Sequence, residues 1–398
     1  MLDAVSFLRD PGCGRFVVIM HQSARKPKPP VVALLIETSN AFSREVLHGI
    51  RDWMRANTSW TIHLSEQGRG NKPPAWLKAW RGHGIIARVE NVEIAKAVRQ
   101  CGVPVVNVSA SGVVSDLPTV ISDSAAIAAK AWEHLRERGF RQFAFCGDGR
   151  FAWSGQHGKN FAQCCARESL PCAVFPTQGA EQEHKEIERW LRRLPKPAGI
   201  LACYDIRAQQ VLDACRRLGL RVPDQVAVIG QHNDELLCEL CDPPLSSVIP
   251  AARAVGEKAA WMLQELMKGK RLKHQHLKVA PLGIATRLST DTVAVRHPGL
   301  ATALRHLRDH ACEALRVDDL ATLAGLSRSL FERMFRRELG VSPYEHLLRL
   351  RMARAEALLN STSLPVAEIA ERTGFTTVEH FSATFSRRMG RTPGSLRK

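Results

Sequence analysis

No run of this sequence approaches the ~18 consecutive apolar residues that a membrane-crossing helix needs, so an integral membrane protein is excluded. The common catalytic and nucleotide-binding fingerprints are missing too. Gly82–Gly84 is a bare GxG with no third glycine at dinucleotide spacing, and neither a GxxxxGK[ST] phosphate loop nor a GxSxG nucleophile elbow occurs. Cys238 and Cys241 form a CxxC, but no second CxxC or HxxxH lies near enough to complete a zinc site. His274 and His276 have no third ligand. No metal and no cofactor are expected, and no enzyme. Acidic residues are in deficit: 39 Asp+Glu face 56 Lys+Arg, a formal net charge of +17. Such an excess points to a polyanionic partner, nucleic acid or an anionic membrane surface.

What is present is ordinary globular composition, 45% hydrophobic and 24% charged, in a length that suggests two to four domains. The 11 cysteines are odd in number and scattered, which reads as reduced thiols in a cytoplasm. Cys238 and Cys241 read as small half-buried residues before Pro243 and Pro244. Near the start, the apolar run Phe16–Met20 is shorter than the roughly 7–15 residues of a secretory signal. A basic, proline-rich stretch follows at 21–30. Residues 1–30 are therefore expected to be an irregular extension, with Met20 an alternative start.

From Val31 to about 290, short β-rich runs begin at Val31, Trp60, Gly84, Val103, Gln142, Gly199 and Val226, separated by amphipathic stretches of helical length. That alternation means βαβ units with parallel sheets covered on both faces, and the length fits two lobes. Pro118–Ser122 reads as a short extended crossover between them. Ligands bind beyond the carboxyl ends of such strands. There the sequence places Asn40, Ser109, Trp153, His157, Asp205, His232 and Asn233, a polar set with one aromatic that suits a sugar-like effector. Each residue alone reads equally as a helix cap or turn residue; their joint position makes the case.

The strand order, the WSxxHxxxF stretch at Trp153–Phe161, and VPDQVAVIGQHNDEL followed by PPLSSV resemble the effector domain of LacI/GalR-type repressors, a fold related to periplasmic sugar-binding proteins. Where such proteins carry Arg and Asp to grip sugar hydroxyls, this chain has His157 and His232. The donor and acceptor pattern therefore differs from the family's.

Residues 300–398 read as helix only and contain a repeat of 49 to 50 residues. VDDLATLAGLS at Val317 matches VAEIAERTGFT at Val366, and FERMFRRELGVSP matches FSATFSRRMGRTP. Each copy has the marks of a helix-turn-helix: Ala321 or Ala370 where helices cross, Gly325 or Gly374 after the first helix, and a hydroxyl cap (Ser327; Thr376 or Thr377) before the second. Phe331, Phe335, Phe381 and Phe385 are expected in the core, and Pro343–Leu359 is expected to join the copies as one helix. This double unit resembles the DNA-binding domain of the AraC/XylS family. The resemblance implies recognition helices at about Arg328–Leu339 and Val378–Met389. Ser329, Glu332, Arg333, Val378, Glu379 and Ala383 would hold base-reading positions, and Arg336, Arg337, Arg387, Arg388 and Arg391 would meet phosphates.

The whole chain thus divides into an extension (1–30), a two-lobed α/β periplasmic-binding-protein-like effector domain (31–290), a linker (291–299) and an all-α DNA-binding domain (300–398). This combination resembles bacterial xylose regulators. The resemblance implies a cytoplasmic homodimeric activator of transcription that binds double-stranded DNA, answers to a pentose-like sugar and has RNA polymerase as a further partner. Two other readings exist: a regulator answering to a protein partner in place of a ligand, and an enzyme using Asp205, His157 and His232 as an acid–base group. The charge does not decide among them. Residues 301–398 hold 16 Lys+Arg and 11 Asp+Glu, a net of +5, which leaves +12 on the first 300 residues.

Overall fold

The computed structural model describes residues 5–9, 16–20, 29–66, 68, 71–176, 183–291, 295 and 297–397. The extension is not wholly irregular: β1 (Val5–Arg9) and β2 (Phe16–Met20) pair antiparallel. The apolar run that is too short for a signal peptide is long enough for one strand of a hairpin.

Lobe one begins with β3 (Val31–Leu35), α1 (Ala41–Asn57), β4 (Thr61–Leu64), β5 (Gly84–Ala87), α2 (Val92–Gln100), β6 (Val105–Asn107) and β7 (Thr119–Ser122). The segment expected as a crossover is therefore a strand, and the chain crosses immediately after it. Lobe two follows with α3 (Ser124–Glu137), β8 (Gln142–Cys146), α4 (Ala152–Arg167), β9 (Cys172–Val174), α5 (Glu183–Arg193), β10 (Ala198–Ala202), α6 (Asp205–Arg217), β11 (Val226–Gln231), α7 (Glu235–Leu240) and β12 (Ser246–Ile249). The chain then returns to lobe one for α8 (Ala252–Met267) and β13 (His276–Val279), and crosses a third time to add β14 (Gly283–Ala285) to lobe two. The sheets run β13-β7-β6-β5-β3-β4 and β14-β12-β11-β10-β8-β9; only the β12–β14 pair is antiparallel.

Alternation along buried strands builds the layers. Val32 and Leu34 face α1 and α8, while Ala33 and Leu35 face the opposite side with Ile94 and Val98 of α2. The α1–α8 crossing is close because glycine stands on both helices. A Cβ on Gly256 would overlap the carbonyl oxygen of Val46, and one on Gly49 that of Arg253. Gly256→Ala is therefore expected to cost about 1–3 kcal/mol despite alanine's better helix propensity, because the obstacle is backbone. Urea unfolding of the two proteins checks this.

The carboxyl-terminal part is helical: α9 (Pro298–Asp309), α10 (Val317–Leu323), α11 (Arg328–Leu339), α12 (Pro343–Ser361), α13 (Val366–Arg372) and α14 (Val378–Met389). Ser327 and Thr377 cap α11 and α14, and Gly325 and Gly374 take φ of 67° and 76° in the turns before them. Phe331 and Phe335 fill one core, Phe381 and Phe385 a second, and α12 joins the two units.

Candidate functional site

The two lobes meet over a cleft at the carboxyl ends of their strands. Lobe one supplies Phe42, at the start of α1, and Arg88, just after β5. Arg88 is buried and held by carboxylates: Nη2 donates to Glu90 at 2.7 Å, and Glu37 stands 3.7 Å from Nη1. Lobe two supplies Trp153 and His157 from α4, with Gln231 and His232 from the end of β11. Between them lies an inner cavity of about 50 Å³. Two buried polar atoms at its wall, Nδ1 of His157 and Oγ of Ser122, have no hydrogen-bond partner among the described residues. Burial lowers the His157 imidazole to about 4, only partly offset by the Gln231 carboxamide, so the ring is neutral near pH 7 and offers one donor and one acceptor.

The other expected effector residues stand further from this cavity. Asn40 caps α1, accepting from Ser43 N at 2.9 Å and donating to Glu37. Ser109 donates to Glu90 at 2.8 Å, so both support the Arg88 cluster. Asn233 edges an outer cavity and accepts from Arg287 Nη1 at 2.9 Å. Asp205 lines neither cavity. It is buried and accepts from Ser247 Oγ at 2.6 Å and from Asp234 N at 2.9 Å, holding the turn after β11. It follows β10 as the sequence pattern has it, but the start of α6 aims it at the turn and away from the cavities.

Burial raises the Asp205 carboxyl to about 7, against the bonds from Ser247 and the Asp234 amide. Its folded form thus holds a proton more tightly than its unfolded form. The stabilisation is full below about pH 4 and is lost as pH rises toward 7. Asp205→Asn is expected to flatten the fall in unfolding midpoint between about pH 4 and pH 7.

Phe42, Arg88, Gln231 and Ser122 are site residues that sequence reasoning missed. Phe42 reads as a core residue of α1, and Arg88 sits past a strand whose neighbours are apolar. Gln231 had a signal, since it breaks an apolar run one residue before His232. The cysteine pair carries no chemistry here: Cys238 and Cys241 are buried, burial pushes both thiols up, and Cys241 Sγ donates to Leu237 O.

In the helical part, Ser329 and Arg333 are exposed on α11, and Glu379 and Ala383 on α14; Val378 is half-buried. Glu332 accepts from Arg328 Nε at 3.2 Å, one turn away. Arg336, Arg337, Arg387 and Arg391 are exposed near the ends of the two helices. Arg388 differs from them. Its guanidinium forks onto Glu345 of α12 at 2.8 and 2.6 Å, which ties α14 to the connecting helix and matches its charge. No helix among the described residues is long and apolar enough to cross a membrane.

A two-lobed ligand cleft followed by paired helix-turn-helix units defines a ligand-responsive DNA-binding transcription regulator. Family models agree: a periplasmic binding protein-like domain matches 132–290, a XylR N-terminal domain 31–121, and a helix-turn-helix domain 320–398. The xylose operon regulatory protein of Escherichia coli is 31% identical over 382 residues, covering 92% of this chain and 96% of that protein. The protein of the same name from Haemophilus influenzae is 27% identical over 379 residues, covering 92% and 97%. A solved structure of a xylose-binding transcription activator superposes with a TM-score of 0.60 at 29% identity, covering 93% of this chain and 98% of that one. The chain belongs to the family of xylose operon regulatory proteins: sugar-responsive transcription regulators that bind DNA, not enzymes.

Proposed function

We propose that the protein is a cytoplasmic, homodimeric activator whose effector domain spans 31–290 and whose DNA-binding domain spans 300–398. Its effector is a xylose-like sugar, in keeping with the named specificity of its relatives, and RNA polymerase is its partner at the promoter. The observation that carries the reading is the repeated unit, with Ser329 and Arg333 exposed on α11 and Glu379 and Ala383 at matching positions on α14. Together with Glu332 and Val378, these residues read bases. Arg336, Arg337, Arg387 and Arg391 position the backbone. Arg388 acts through Glu345, setting the angle of α14.

The effector enters the cleft near Trp153, His157, Gln231 and His232, where the unpartnered His157 Nδ1 and Ser122 Oγ await hydroxyl groups. A short path leads from there to the DNA-binding domain. Asn233 accepts from Arg287, and four residues on, Asp291 meets Arg308 of α9 at 2.8 Å. A sugar that binds one cleft geometry more tightly than another shifts that path with it. The test is a mobility shift of the full chain on promoter DNA across a salt series, with and without D-xylose. Sequence-selective, salt-dependent binding that responds to the sugar supports the reading. Equal affinity for any duplex, or no response to any sugar, overturns the corresponding half.

A further inference from the structure

A further cavity, of about 650 Å³, opens where the effector domain meets the DNA-binding domain, and it shares no lining residue with the two at the cleft. Lobe two supplies Arg138, at the end of α3, and Arg287, shortly after β14; α9 supplies Arg308. Three guanidinium groups thus line one space on both sides of the domain boundary.

The lining balances formally, three arginines against Asp291, Asp309 and Glu239, but the pairing is uneven. Both aspartates are held by Arg308: Nη2 meets Asp291 at 2.8 Å and Nε meets Asp309 at 3.2 Å. Its Nη1 is buried and has no hydrogen-bond partner among the described residues. Arg138 is 7% exposed, and its Nε and Nη1 donate only to the carbonyls of Thr290 and His134, at 2.8 and 3.0 Å. Arg287 Nη1 donates to Asn233 Oδ1 and Leu245 O. Glu239 of α7 is exposed and forms no ion pair among the described residues. The linker brings no counter-charge, since residues 292–299 read TVAVRHPG, with no carboxylate and one further arginine.

The result is a buried cation with no carboxylate partner beside a second cation with a spare donor. Burial and then the charge of Arg308 lower the Arg138 guanidinium to about 10, so it remains charged near pH 7. Burial, with the charges of Arg138 and Arg308, also holds the His134 imidazole well below its usual range. Arg138 belongs to lobe two and Arg308 to the DNA-binding domain, so their repulsion acts across the boundary. An anion between them converts that repulsion into attraction on both sides. The planar fork of arginine suits phosphate oxygens, and the cavity lies within the roughly 300–1,000 Å³ of small-molecule sites.

We propose that this cavity is a second ligand site, for a small phosphate-bearing anion held between Arg138 and Arg308, which fastens the DNA-binding domain to lobe two. The site lies outside the cleft and does not depend on the sugar reading. Its test is calorimetric titration of the full chain, as wild type, Arg308→Gln and Glu239→Gln, at constant ionic strength. The probes are inorganic phosphate, glycerol 3-phosphate and, as the uncharged control, glycerol.

The wild type should bind one phosphate or phosphate ester per chain and no glycerol. Arg308→Gln should weaken that binding about tenfold or more, the effect of losing a hydrogen bond to a charged group. Glu239→Gln removes a repelling carboxylate and should tighten it about threefold. Equal affinity for the two phosphates assigns the site to the phosphate group alone; a preference for glycerol 3-phosphate assigns it to an ester. Either supports the site. No binding of either phosphate by wild type at millimolar concentration overturns it, as does equal affinity in wild type and Arg308→Gln. Should Arg308→Gln not fold, Glu239→Gln decides, and an unchanged or weaker phosphate affinity there overturns the site.

Discussion

Asp148→Asn is expected to destabilise the protein by about 3–5 kcal/mol, the usual cost of removing one partner from a buried ion pair. Asp148 and Arg207 both have fully buried side chains and meet at 3.3 Å. Tyr204 Oη donates to the same carboxylate at 2.8 Å, and Arg150 forks onto it at 2.9 and 2.6 Å. Burial alone would raise the Asp148 carboxyl; the bonds from Arg150 and Tyr204, with the charge of Arg207, outweigh it and hold the group at about 2. A carboxyl depressed in the folded state contributes stability above its unfolded value of about 4 and loses it as pH falls through about 2. Wild type should therefore lose stability steeply between pH 4 and pH 2, and the variant should show a shallower slope there. Urea unfolding at pH 7 and along that acid series measures both. A variant within 1 kcal/mol of wild type at pH 7, or with the same acid slope, would remove the ion pair from the account of lobe two.

Arg333→Ala should cost about 1–3 kcal/mol of DNA affinity and relax preference at a single base position. Arg387→Ala should weaken binding about equally on all sequences and reduce the salt slope by about 1. The difference follows from placement. Arg333 is exposed in the middle of α11, where a helix meets base edges, whereas Arg387 lies in the last turn of α14. Selection of binding sites from a random duplex pool, repeated at several salt concentrations, distinguishes them. Loss of affinity in both variants with no change in sequence preference would take base reading away from Arg333.

The DNA-binding half was legible in the sequence almost to the residue. The repeat places glycine, hydroxyl cap and phenylalanine at fixed offsets, and each is a local requirement of a turn, a helix start or a small core. Both recognition helices accordingly begin and end where the pattern put them. The effector half was legible as alternating strands and helices, but not where the chain changes lobe. Thr119–Ser122 and Ser246–Ile249 are strands too short to show a period, made by pairing with neighbours distant in sequence. The cleft divided in the same way. His157, in the second turn of α4, and His232, just past the end of β11, were named from sequence and line the inner cavity. Phe42 and Arg88 become site residues only through a second lobe that faces them. Arg388 could not be told from Arg387 by sequence, because its partner Glu345 lies 43 residues away.

The three crossings between lobes also set an order of assembly during synthesis. The face of lobe one under α1 is closed by Val255, Ala259 and Leu263 of α8, and its sheet ends in β13. The helix is complete only once the ribosome has passed residue 267 and the strand only past residue 279, by which point all of lobe two up to β12 has been made. At about 5–20 residues per second, the first lobe waits many seconds with an apolar sheet face open. Lobe two can close almost as it emerges, and the helices after Pro298, contiguous in sequence, form last. A free chain truncated after residue 250 should therefore present a protease-resistant second lobe beside a first lobe that is still digested.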